Sequence, residues 1–150
     1  MYTLEGKKIV STEKAPKAIG PYSQAVGFGN LLFLSGQIAI DPETQAVVDG
    51  CVELQTNRIM ENIKAVLEAA NLGLENIVKT TVFLANMNDF AEFNQTYGKY
   101  FKEHPPARST VEVSRLPKNV QVEVEVIAAF PTEVAPAAKA AHAESEDANG

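Results

Sequence analysis

Residues 105–130, PPARSTVEVSRLPKNVQVEVEVIAAF, decide how the chain is read. They predict two strands, 108–113 and 120–128, joined by a short loop. In the second, Val120, Val122, Val124 and Val126 alternate with Gln121, Glu123, Glu125 and Ile127. That period of two sends the valines to one face and their neighbours to the other. In the first, Val111 and Val113 share a face, and Arg108, Thr110 and Glu112 share the opposite one. A tight hairpin with both valine faces in one core would line Arg108, Thr110, Glu123 and Glu125 along one polar sheet face. Thr110 would then lie opposite Glu123 and Arg108 opposite Glu125, and a slip of two residues would leave the faces unchanged. An arginine and a glutamate on one strand face form either a surface ion pair or the floor of a site. This stretch leaves both open.

Upstream of it, residues 7–11 predict a short edge strand. The run Ala15-Pro16-Lys17-Ala18-Ile19-Gly20-Pro21-Tyr22-Ser23 predicts an ordered loop. Residues 25–28 and 31–35 flank Gly29-Asn30, a hairpin signal. Leu31 to Leu34 are apolar in succession, which predicts burial on both faces, with helices on one side and a partner subunit as a candidate for the other. Ile59, Ile63, Val66, Leu67 and Ala70 recur at helical spacing over residues 52–70, with Asn71-Leu72-Gly73 as the stop. Residues 77–84, IVKTTVFL, are rich in β-branched side chains and predict a strand. A second helix is predicted over residues 89–102, capped by Asn88, with Phe90, Phe93, Tyr97, Tyr100 and Phe101 as its apolar stripe and Gly98 inside it. The order β-β-β-α-β-α-β-β predicts an α+β domain, a mixed sheet with two helices packed on one face. An open face that is half polar and half apolar suits assembly with copies of itself.

The chain has 150 residues, 45% of them hydrophobic, which suits one domain with a core. Its formal net charge of -6 argues against a general nucleic-acid or anionic-membrane surface, and Arg115 and Lys118 make only a small basic patch. One cysteine, Cys51, allows no intrachain disulfide and fits a reducing, cytoplasmic setting. No signal peptide or membrane span is expected from the apolar runs. His104 and His142 stand far apart and no metal-ligand spacing is present. The domain is expected over residues 1–131. Residues 132–150, rich in Ala and acidic side chains, read as a disordered or partly helical tail.

Six candidates can be weighed from the residues. Arg108 follows a proline pair and is flanked by small residues, a rigid seat for a guanidinium that grips a carboxylate; the alternative is a pair with Glu125 or Glu112. Glu123 suits positioning or deprotonating a water near a bound anion, with Glu125 as competitor. Ser35-Gly36 offers a hydroxyl and a backbone N–H, or is a plain strand end. Tyr22 either lids a pocket or packs, and Asn94 lies one position from the helix stripe. Cys51 shows no histidine or helix-start setting that would make it reactive.

Ile19-Gly20-Pro21-Tyr22-Ser23-Gln24, Ser35-Gly36-Gln37, Val78-Lys79-Thr80-Thr81-Val82-Phe83, Asn88-Asp89-Phe90, Pro106-Ala107-Arg108-Ser109 and Val122-Glu123-Val124-Glu125 occur in this order. The chain thereby resembles the Rid/YjgF family, in its reactive intermediate deaminase A (RidA) branch, over about residues 7–130. The resemblance implies a chorismate-mutase-like fold and a homotrimer with clefts between subunits. It implies hydrolysis of 2-imino acids such as 2-iminopropanoate and 2-iminobutanoate to 2-oxo acids and ammonia, without metal or organic cofactor. Those imines arise from PLP-dependent serine and threonine dehydratases. Arg108 matches the family arginine that holds the substrate carboxylate, and Glu123 the glutamate that orients water. Tyr22, Ser35 and Gly36 match residues supplied across the cleft by a neighbouring subunit, and Asn94 a helix asparagine near the site. Thr110 stands where many members have cysteine, which removes thiol chemistry at that position. A non-catalytic trimer that binds small carboxylates as a sensor or interaction module is the alternative.

Overall fold

The computed structural model describes residues 5–132, so the acidic tail expected over 132–150 lies, beyond Thr132, outside the described residues. The elements follow the predicted order: β1 (Lys8–Val10), β2 (Ala25–Phe28), β3 (Leu31–Gln37), α1 (Val52–Ala69), β4 (Ile77–Leu84), α2 (Phe90–Tyr97), β5 (Ala107–Glu112) and β6 (Val122–Ala129). They form one six-stranded mixed sheet in the order β1-β2-β3-β6-β4-β5, parallel only between β4 and β5. Both helices cover one face. Ile59, Ile63, Val66 and Leu67 of α1 and Phe93 of α2 are buried together with Leu32, Leu34, Val82, Val122, Val124 and Val126 of the sheet. α1 stops where expected: Asn71 takes a left-handed conformation (φ 59°), and Leu72 N–H donates to Leu67 C=O.

The tight hairpin predicted for residues 105–130 is not formed. β4 lies between β5 and β6. The link between them straddles the end of β4, held there by Val113 N–H to Leu84 C=O and Ala85 N–H to Gln121 C=O. The cause is in the composition of the two strands. β6 has the strictest apolar alternation and takes a central place, paired on both sides. β5, preceded by two prolines and carrying Arg, Ser and Thr, is the edge strand.

This pairing also overturns the predicted common polar face. Arg108 is level with Thr80, and Thr110 with Val82. Those β4 residues are level with Val126 and Val124, on the helix side. Arg108 and Thr110 therefore face the helix layer, whereas Glu123 and Glu125 lie on the opposite, open face. Val111, expected in the core, is 42% exposed on that open face. Phe33, in the run read as buried on both sides, is 42% exposed there too.

Three local expectations are corrected. α2 ends at Tyr97 rather than near residue 102, with Gly98 as its C-cap. The chain then tightens through Lys99 N–H to Thr96 C=O and Tyr100 N–H to Tyr97 C=O. The capping amide before α2 is Asn86, which accepts from Asn88 N–H, not Asn88 itself. Cys51 does sit at a helix start, as the N-cap of α1. Its exposed thiol lies within 4.8 Å of carboxylate oxygens of Glu53 and Glu92, both also exposed. Among the described residues no helix is long and apolar enough to cross a membrane.

Candidate active site

Edge strand β5 carries Arg108 against α2. The spacing of Phe90, Phe93 and Tyr97 puts three rings on one side of that helix. The guanidinium carbon lies 4.9 Å from the Tyr97 ring centroid, 5.6 Å from Phe90 and 5.8 Å from Phe93. These are cation–π distances. Neither ion pair considered for Arg108 forms among the described residues. Glu112 accepts instead from Met87 N–H at 2.9 Å, and Glu125 is on the other face of the sheet. Arg108 is thus a partly buried cation, oriented by aromatic faces, with its N–H groups uncommitted among the described residues. Two positions on, the Thr110 hydroxyl is buried and has no hydrogen-bond partner among the described residues. Asn94 is half-buried on α2, between Phe93 and Tyr97 in sequence.

Tyr22, Ser35, Gly36 and Glu123 come together elsewhere, around a cavity of about 460 Å³ that also touches Ile40 and Pro117. Its wall is built by a bulge: pairing of β3 with β6 shifts between Leu34 and Gln37, so Ser35 and Gly36 stand out of the ladder. Ser35 is fixed twice, by its N–H to Gln24 C=O at 3.0 Å and its hydroxyl to Ser23 C=O at 2.6 Å. Its hydroxyl proton is used internally, and its oxygen remains an acceptor for a ligand. Tyr22 is half exposed, its hydroxyl accepting from Ile19 N–H. The whole 12–24 loop hangs on the buried amide of Gln24, which accepts from Thr12 N–H and donates towards Thr12, Ala15 and Pro16 carbonyls.

Glu123 is half-buried beside Gly36. A Cβ at Gly36 would overlap the Glu123 carboxylate, so the absence of a side chain lets the carboxylate lie on the strand backbone. Burial pushes the Glu123 pKa above the ordinary glutamate range, and the charge of Glu125 adds to the rise. A carboxyl group that exchanges its proton nearer to neutrality is suited to acid–base work on a bound water.

The predicted residues therefore fall into two sets. Tyr22, Ser35, Gly36 and Glu123 share a cavity, and Arg108 and Thr110 lie on the far side of the sheet. Sequence reading missed the ring cradle around Arg108. Its signal was present in the Phe90, Phe93, Tyr97 spacing, but strand parity had assigned Arg108 to the wrong face. Gln24, the anchor of the loop, was quoted only as part of a motif.

Residues 12–130 match the family model described as Endoribonuclease L-PSP. The chain is 57% identical over 122 residues to a RutC family protein of Pyrococcus abyssi, covering 81% of this chain and 96% of that one. It is 52% identical over 124 residues to a 2-iminobutanoate/2-iminopropanoate deaminase of Salmonella typhimurium, with 81% and 96% covered. Among solved structures it matches a putative endoribonuclease of Thermotoga maritima with a TM-score of 0.81 and 53% identity, covering 83% and 98%. It also matches E. coli TdcF with bound serine, with a TM-score of 0.79 and 43% identity, covering 83% and 99%.

Proposed function

The chain belongs to the Rid/YjgF family, and from that membership and the two residue sets we propose that the protein hydrolyses short 2-imino acids to 2-oxo acids and ammonia. The observation that carries the reading is Glu123, a half-buried carboxyl group of raised pKa laid against Gly36 in a cavity beside Ser35 and Tyr22. It has the setting of a proton acceptor for water. Arg108, uncommitted and aromatic-lined, grips the substrate carboxylate, with Thr110 and Asn94 beside the grip.

Because Arg108 and Glu123 lie on opposite faces of one sheet, a substrate of three or four carbons reaches both only between two copies of the chain. The proposed site therefore takes Arg108, Thr110 and Asn94 from one subunit of a homotrimer and Glu123, Tyr22, Ser35 and Gly36 from its neighbour. This revises the expected division, in which Glu123 sided with Arg108. In the reaction, Glu123 takes a proton from water as the water oxygen attacks the imine carbon. The resulting carbinolamine nitrogen receives that proton. The carbinol hydroxyl then gives its own proton to Glu123 as the C–N bond breaks, so ammonia leaves with the C–N electron pair, the carbonyl forms, and Glu123 releases the proton to solvent. A protonated imine is already electrophilic, so position and one proton shuttle suffice. PLP-dependent serine and threonine dehydratases, in the cytoplasm, are the proposed source of the imine.

Ammonia release is measured with imine generated in place by a threonine dehydratase. Arg108→Ala is expected to abolish the accelerated release with the fold intact. A near-normal rate in that variant would sink the role given to Arg108. The second reading, a trimer that binds small carboxylates without turnover, is favoured by the serine bound to E. coli TdcF. It predicts binding of 2-oxobutanoate with no acceleration of imine hydrolysis by the unaltered protein. Endoribonuclease activity, named for the family model, fits poorly with a net charge of -6.

A further inference from the structure

Arg108 is held by an aromatic device whose inner part is itself locked. The Tyr97 ring is clamped between Phe93, at a centroid distance of 5.3 Å, and Phe101, at 4.7 Å, both tilted. Its hydroxyl shares a buried hydrogen bond of 2.8 Å with Thr80, the β4 residue level with Arg108. Ring and strand are thus fixed to each other at the level where the guanidinium sits, and of the three rings Tyr97 is the nearest to it.

The charge state matters as much as the geometry. Burial raises the Tyr97 pKa despite the opposing effects of Thr80 and Arg108, so the phenol stays neutral through the physiological range. Tyr97 orients the cation through its ring face without neutralising it. A carboxylate in this place would orient Arg108 equally well, but would compete with an anionic ligand. Phe90 and Phe93 are also neutral, and among the described residues no acidic side chain pairs with Arg108.

We infer that Tyr97, anchored by Thr80, is a positioning residue that presents the Arg108 guanidinium to an oxyanion ligand while leaving its charge unspent. The inference rests on the proposed carboxylate grip for its ligand, but the orientation of Arg108 can be read without any ligand.

The test has two readouts on the full chain. The first is the Arg108 side-chain Nε–H resonance in ¹⁵N NMR, assigned by its loss in Arg108→Ala. Over three ring faces it is displaced by ring currents. Tyr97→Leu is expected to move it towards the free-arginine position; Tyr97→Phe, which keeps the ring but loses the Thr80 hydrogen bond, is expected to move it less. The second is calorimetric binding of 2-oxobutanoate with steady-state kinetics. Tyr97→Leu is expected to weaken binding and raise KM by about three- to tenfold, the range for a partly exposed cation–π contact, with kcat within about twofold. Tyr97→Phe is expected to recover part of that affinity, the shortfall measuring the Thr80 anchor. If Tyr97→Leu does not fold, Phe90→Leu, at the half-buried rim of the cradle, carries the same two readouts with the same expected directions. An unmoved Nε–H resonance in the folded leucine variant, or unchanged affinity with the resonance moved, overturns the inference. Failure of the unaltered protein to bind 2-oxobutanoate overturns the proposed grip instead, and leaves the NMR result to decide the orientation.

Discussion

Glu123 and Gly36 make a pair in which one side chain depends on the absence of another. At Gly36 a methyl group would meet the tip of the Glu123 side chain, the flexible end rather than the backbone. The carboxylate can swing away at little cost in stability. Gly36→Ala should therefore leave the melting temperature close to that of the parent while lowering imine hydrolysis by at least about tenfold. The double variant Gly36→Ala/Glu123→Gln should be no worse than Glu123→Gln alone, because both changes remove the same positioned carboxylate. Glu123→Gln itself should lower the rate about 100-fold or more, the usual range for loss of a general base. It should also change stability with a definite sign. The Glu123 pKa is raised in the folded state, so ionisation disfavours folding. That penalty is absent below the unfolded pKa, near 4.3, grows as pH rises towards the raised folded value, and is constant above it. Glu123→Gln should accordingly melt higher than the parent at pH 7, with the gain vanishing as pH falls below about 4. A gain that persists undiminished in acid would contradict the burial argument.

Among the elements, the loop that carries Tyr22 depends on one buried amide. Gln24 is 5% exposed and ties residues 12–16 to the start of β2. Gln24→Ala leaves the Thr12 N–H and the Pro16 carbonyl without that partner. It should destabilise the fold by about 1–3 kcal/mol in denaturant titration and expose the 12–24 loop to limited proteolysis. Unchanged cleavage there would mean that the loop is held by other contacts. β5 teaches a different lesson about elements. Its alternation was legible, but alternation assigns residues to two faces without saying which face is inside. Val111 and Val113 seemed to mark the inner one. The parallel partner β4 decides otherwise, because Thr80 and Val82 face the helices and Arg108 and Thr110 are level with them.

For the whole molecule, the separation of Arg108 from Glu123 across the sheet turns the proposed site into a property of the assembly. Two inactive variants should then complement each other. Mixed by co-expression, Arg108→Ala and Glu123→Gln should regain about a quarter of the parent rate per site in a cyclic trimer, since one arrangement in four at each interface joins an intact arginine to an intact glutamate. Recovery of no activity from verified mixed trimers would place both residues in one subunit's site.

The sequence by itself determined the order of elements and the hydrophobic layer under the helices, because periodicity and turn chemistry act over a few neighbouring positions. The Gly29-Asn30 hairpin and the stop at Asn71 are of this kind. Only the tertiary structure decided that β4 slips between β5 and β6, and with it the faces of Arg108 and Glu123. Strand partners are chosen by competition among distant segments for a central or an edge position. Residues 105–130 show which strand suits a centre and which an edge, but not that the distant β4 comes between them.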